Sequence, residues 1–173
     1  MQQLDILASA LQLNAGLVQR ALDGLSDEDL SKRPNDQCNP IGWTLWHQYR
    51  YEDRVVSGIT GEQQVWISDG WHDKFGMPAD ADQLGMGDSL EQVGAFRARL
   101  DNLQGYGAAV REKTLACLQS ITPEELDREM DAPGGATRTA GVQLGVLLLD
   151  HFHHSGQVCY LRGFITGKGW FAA

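Results

Sequence analysis

From the N-terminus, Leu4, Leu7, Leu11, Asn14, Val18, Ala21 and Leu25 recur at steps of three and four, the interval that returns side chains to one face of an α-helix. The same step governs most of the chain. Helix two is expected from Pro40 or Ile41 through GWTLWHQYRYEDRVVSG to Gly58, with proline at its start as helix first turns favour. A third stripe, Val93, Phe96, Leu100, Leu103, Val110 and Cys117, predicts a helix of about 30 residues capped by Asp88 or Ser89 with Glu91 or Gln92, and with Gly105 and Gly107 as its weak points. A fourth helix is expected from Gly141 to Phe164, ending before Gly167. With no alternating strand pattern, internal repeat or low-complexity tract, the chain reads as all-α: a four-helix bundle in a single domain, residues 1–173.

The connections differ in kind. In LSDEDLSKRPNDQCNP, Ser26 and Asp29 form a capping pair for one short turn, and Pro34 and Pro40 bracket a loop. ITPEEL supplies Thr122 as cap, Pro123 at the first helical position and Glu125 as the reciprocal partner. DAPGGATRTAG reads as loop. Residues 59–88 form a long loop between helices two and three that carries Trp66, Trp71, His72 and Phe75; a connection that long is functional or hides short helices.

Charge narrows the function classes. Fourteen Lys and Arg stand against 23 Asp and Glu, a net −9, which repels phosphate backbones and sets nucleic acid aside as a partner. No apolar run approaches the roughly 20 residues that span a bilayer, and the opening MQQLDILASALQLNAG lacks a basic leader region. A cytoplasmic protein acting on small molecules, without membrane contact, is the expectation. Cys38, Cys117 and Cys159 are odd in number and lack CxxC spacing, so they are read as free thiols, the last two as small buried hydrophobes.

Three of the five histidines fall in LLLDHFHHSGQVCYLRG, residues 147–163. At about 100° per residue, His153 and His154 diverge, whereas Asp150 and His154 lie about 40° apart. They belong to the stripe Leu147, Asp150, His154, Gln157, Leu161, Phe164, which is taken as inward-facing. The stripe Leu148, His151, Ser155, Val158, Arg162 reads as a flank. Polar groups in a core stripe cost several kcal/mol unless paired or liganded. On helix two, His47 sits among Trp43, Trp46, Arg50 and Tyr51. Alone it reads as a core histidine bonded to a carbonyl. Together with Asp150 and His154 it would complete a two-nitrogen, one-carboxylate set suited to Zn²⁺ or Ni²⁺, with open positions for water or substrate. His151 is the reserve ligand; His72 reads as an exposed loop histidine, or as a fourth ligand if the long loop closes; and a chain with no retained metal is the remaining alternative. His153 reads as a surface or supporting group. Arg50 is expected to pair with Glu52 or Asp53, or to offer its charge to an anionic substrate.

GWTLWHQYRYEDRVVSGITG and DHFHHSGQVCYLRG resemble the two signatures of the DinB-like superfamily, bundle proteins that include mycothiol- and bacillithiol-dependent transferases and isomerases. The resemblance covers nearly the whole chain. It implies a divalent metal held by a helix-two histidine and an H-x-x-x-H pair on helix four, which here fall on His47, Asp150 and His154. Asp150 departs from the usual histidine; mycothiol-dependent maleylpyruvate isomerases are similar in carrying a carboxylate there. Ser155 stands where arginine is frequent, before Gly156 and Gln157. The resemblance also implies a homodimer and a low-molecular-weight thiol as cofactor. Three functions therefore stand open: a metal-dependent thiol S-transferase or isomerase, a hydrolase using metal-activated water, and a non-enzymatic metal or small-ligand binder.

Overall fold

The computed structural model describes residues 4–132 and 135–168. Four long helices carry the fold: α1 (Asp5–Leu22), α2 (Ile41–Thr60), α6 (Leu100–Ser120) and α8 (Ala140–Thr166). Short helices fill the connections: α3 (Val65–Ser68), α4 (Trp71–Phe75), α5 (Leu90–Ala95) and α7 (Pro123–Asp127), with a 3₁₀ turn at Asp29–Ser31. The residues 59–88 thus hide two short helices rather than running as plain loop. Among the described residues no helix is long and apolar enough to cross a membrane.

Helix α2 is the central element. Every residue from Ile41 to Asp53 is buried, which an amphipathic surface helix would not show, so polar residues as well as apolar ones on α2 must find partners inside. One apolar cluster, around Trp46, Trp66, Leu103 and Tyr106, occupies one part of the bundle, and a second, around Leu11, Val56, Leu144 and Leu147, another.

The caps fall where the sequence puts them. Ser26 and Asp29 exchange bonds ahead of the 3₁₀ turn, and complete capping boxes join Ser89 to Gln92 and Thr122 to Glu125. Gly167 ends α8 in the left-handed conformation, φ +69°, which glycine adopts without strain.

Three expectations need correction. The third helix is not continuous: it breaks at residues 96–99, and not at Gly105 or Gly107. The break lets Phe96 pack on Trp46 with ring centroids 5.2 Å apart, while Asp27 accepts from the Leu100 N–H at 2.7 Å and starts α6. DAPGGATRTAG is no plain loop either. β1 (Glu129–Ala132) and β2 (Ala136–Thr139) form an antiparallel hairpin, Met130 opposite Arg138, around a glycine-rich connection of which residues 133–134 lie outside the described set; four-residue strands are too short for alternation to register. Finally, the supposed flank of α8 faces inward: His151, Ser155 and Val158 are buried, and Phe164 of the supposed inner stripe is 52% exposed.

Candidate metal centre

Helices α2 and α8 pack against each other with His47 on one and Asp150 and His154 on the other. Each of the three offers a ligand atom, and these atoms lie within 4.8 Å of one another. His154 Nε2 and Asp150 Oδ1 are 3.3 Å apart, close to the roughly 3.3 Å edge of a tetrahedron with metal bonds of about 2.0–2.1 Å. The His47 and His154 rings meet edge to face, centroids 5.0 Å apart.

Which nitrogen each ring presents is settled by its other nitrogen. His47 Nδ1 donates to the carbonyl oxygen of Leu84 at 2.5 Å, and His154 Nδ1 donates to Gln157 Oε1 at 2.9 Å. In the neutral rings both Nε2 atoms keep a lone pair for the shared space, the arrangement that orients metal-bound histidines. Burial holds the His47 pKa below its ordinary value, so the ring is neutral. For His154 burial acts in the same direction, but the hydrogen bond and charge of Asp150, with the bond to Gln157, more than reverse it and raise the pKa. Asp150 Oδ2 is buried and has no hydrogen-bond partner. A carboxylate oxygen within 4.8 Å of two imidazole nitrogens, with the second oxygen of Asp150 buried and unpaired, is a donor set able to hold a divalent cation.

The walls are fixed by residues far away in sequence. Trp43 stacks flat on His47, centroids 5.2 Å and planes 6° apart, and its Nε1 donates to Asp88 at 2.9 Å. Gly85 sits at φ +82°, where a Cβ would come within 2.7 Å of Trp43 and 2.8 Å of Trp46; only glycine lets the chain pass over those rings and deliver the Leu84 carbonyl. Arg50 holds the segment before it. Fully buried, it donates to the carbonyls of Gln83 at 3.1 Å, Asp80 at 2.9 Å and Ala81 at 3.2 Å, and to Gln64 at 2.7 Å. It lies 3.7 Å from Asp53 and over the Trp66 ring. Its charge is therefore spent inside the protein and not offered to a substrate.

The other sequence candidates lie elsewhere. His151, the reserve ligand, is fully buried and turned away: its Nε2 meets Glu52 Oε2 at 2.8 Å and its Nδ1 the Leu147 carbonyl at 3.0 Å. His72 rests beside Asp73 and against Trp66, outside the group. His153 is exposed and lines a cleft of about 590 Å³ with Cys38, Asn39, Thr44, Gln157 and Tyr160. Sequence reasoning did not single out Gln157 or Leu84 as supports of the two histidines; a glutamine one turn beyond His154 was the available signal for the first, and no local signal marks the second.

A family model described as the DinB superfamily matches residues 10–158. The chain belongs to the DinB superfamily. The fold agrees: a structure described as the crystal structure of a conserved protein from Enterococcus faecalis superposes with a TM-score of 0.86 at 23% identity, covering 97% of this chain and 99% of that one. No curated protein matches. As a DinB-superfamily member with a His-Asp-His group able to hold a metal, the protein is a mostly helical bundle with one small hairpin added.

Proposed function

We propose that this DinB-superfamily protein is a divalent-metal-dependent enzyme that works with a low-molecular-weight thiol, its cation held by His47 Nε2, Asp150 and His154 Nε2. The observation that carries the reading is a carboxylate oxygen of Asp150 within 4.8 Å of two imidazole nitrogens, the opposite ring atoms already engaged and Asp150 Oδ2 left buried without a partner. Zinc or nickel suits two nitrogens and a carboxylate. A cation there supplies Lewis-acid polarisation and stabilises a thiolate at neutral pH.

The remaining work falls to the chain. Leu84 and Gln157 hold the rings in the tautomers that leave Nε2 free, and Trp43 shields His47 from water. Gln157 also lines the 590 Å³ cleft, so one side chain links the ligand His154 to a space able to take a polar cofactor. Asn39, Thr44 and Gln157 offer neutral hydrogen-bonding groups there, and Tyr160 an aromatic wall.

Elemental mass spectrometry on untagged wild type beside His47→Ala, Asp150→Ala and His154→Ala tests the metal. Near-stoichiometric zinc or nickel in wild type, absent from all three variants with helical circular dichroism intact, is the expected result. Wild type that neither carries nor takes up metal overturns the reading. Metal-loaded protein is then assayed with mycothiol, bacillithiol and glutathione against monochlorobimane. Thiol-dependent turnover is expected; turnover of ester substrates without thiol moves the protein to the hydrolases, and an occupied but inert site to the binders.

A further inference from the structure

A second cleft, of about 310 Å³, lies where α1, α2 and α6 meet, and none of His47, Asp150 or His154 lines it. Its volume is about ten times the roughly 30 Å³ share of one liquid water, and falls at the small end of ligand pockets. Small residues make the space: Ala15 on α1, and Gly107 and Ala108 on α6. A Cβ at Gly107 would come within 2.6 Å of the Tyr49 ring, so the ring lies flush on the α6 backbone and forms a fixed wall. Val18 and Leu22 complete the apolar side.

The polar side is unusual in composition. Four carboxamides line the cleft, Asn14, Gln19, Gln48 and Gln104, with Arg111 as the only charged residue. Two of these groups, Gln48 and Arg111, have a buried polar atom without a hydrogen-bond partner. Gln48 is 1% exposed, and its Oε1 has no partner. Asn14, also buried, accepts from Ser155 through Oδ1 at 3.0 Å, so its NH₂ is the end not used in that bond. Arg111 is clamped by Nη1 to the Leu11 carbonyl at 2.6 Å and by Nη2 to Glu52 at 2.9 Å, and its Nε–H has no acceptor. Buried polar groups are ordinarily paired. The terminal torsion of Gln48 is soft, so its amide can present either end to the cleft floor. Glu52 already neutralises Arg111, so the cleft offers hydrogen bonds without a net call for an anion.

We propose that this cleft is a second binding site, separate from the metal centre, for a small uncharged molecule with an amide edge. Its carbonyl accepts from the Asn14 and Arg111 N–H groups, its N–H donates to Gln48, and its apolar body lies against Val18, Leu22 and Tyr49. The occupant binds reversibly, and no bond is made or broken.

The test is a nuclear magnetic resonance titration of the full chain with benzamide, and separately with benzoate, each without and with zinc. Saturable benzamide shifts at the amides of Ala15, Gly107 and Ala108 and at Arg111 Nε–H, the same with and without zinc, are expected. Ala15→Leu, which fills the space, weakens binding by about tenfold or more, and Gln48→Leu by roughly five- to tenfold. If Ala15→Leu does not fold, Ala108→Phe at the exposed rim carries the same prediction. Absence of saturable shifts, which would leave the cleft to water, overturns the proposal. So do shifts centred on His47 and His154, or affinities unchanged in both filling and Gln48 variants. Benzoate binding as tightly as benzamide overturns the uncharged class.

Discussion

Two histidine–carboxylate clusters lie along the same pair of helices, and they are finished in opposite ways. At Glu52 both carboxylate oxygens are engaged: Oε2 accepts from Arg111 at 2.9 Å and from His151 at 2.8 Å, and Oε1 from Thr114 at 2.7 Å. At Asp150, one oxygen is 3.3 Å from His154 Nε2 and the other has no partner. Residue type does not separate the two clusters, and burial ranks them the wrong way, since His151 is fully buried and His154 is not. What separates them is whether lone pairs remain. The closed cluster ties α2, α6 and α8 together; the open one can take a cation.

The comparison breaks most visibly at Glu52. Glu52→Ala leaves the Arg111 and His151 groups buried without their carboxylate and should cost about 3–5 kcal/mol in urea or thermal unfolding. Asp150→Ala in metal-free protein should change stability by no more than about 1 kcal/mol. Equal losses for the two would erase the distinction.

Next in size is Gln157→Leu. It removes the acceptor on His154 Nδ1, so zinc affinity should fall by about 10- to 100-fold in competition with a chromophoric chelator, the helical signal unchanged. Unchanged affinity would mean that Asp150 alone orients the ring.

The clusters should also separate with pH. Burial alone would push the Glu52 carboxyl up, but the charges of His151 and Arg111, with bonds from His151 and Thr114, hold it down at about 2 against an ordinary 4.5. A lowered carboxylate pKa stabilises above the unfolded value, so this contribution is complete above pH 4.5 and is lost as pH falls toward about 2. His154 has the opposite sign. Its pKa is raised above the ordinary 6.5, so its proton stabilises the metal-free protein fully below 6.5 and that contribution is lost as pH rises through the raised value. Metal needs the neutral ring, so zinc affinity should climb over the same interval. Unfolding and zinc titrations across pH read the two separately; a zinc affinity flat from about pH 6 to 8 would remove His154 from the ligand set.

The smallest effect is expected at His72. His72→Ala should leave metal content unchanged, since its ring faces Asp73 and Trp66; lost metal would bring the α4 segment into the site.

Local signals carried much of this molecule. The three-and-four spacing located α1, α6 and α8, and a leading proline α2; the capping pairs located the turn at Asp29–Ser31, α7 and the start of α5, whereas α3 and α4 carry no side-chain cap; and the i, i+4 relation put Asp150 and His154 together on α8. Signals that depend on distant partners did not. Nothing near His151 announces that Glu52, 99 residues earlier, waits for it, so its stripe reads as a polar flank although it faces the core. The break at residues 96–99 depends likewise on Asp27 and Trp46, since the apolar period runs straight through it. The four-residue strands of the hairpin are simply below the length at which a period can be read.

The Leu84 carbonyl has one further consequence. It lies against His47 because the chain crosses the tryptophans at Gly85 and the preceding segment is anchored on Arg50. A change that loosens that segment, however far from the ring, would remove the acceptor that selects the His47 tautomer, so cation affinity at this site would report on the anchoring of residues 80–85.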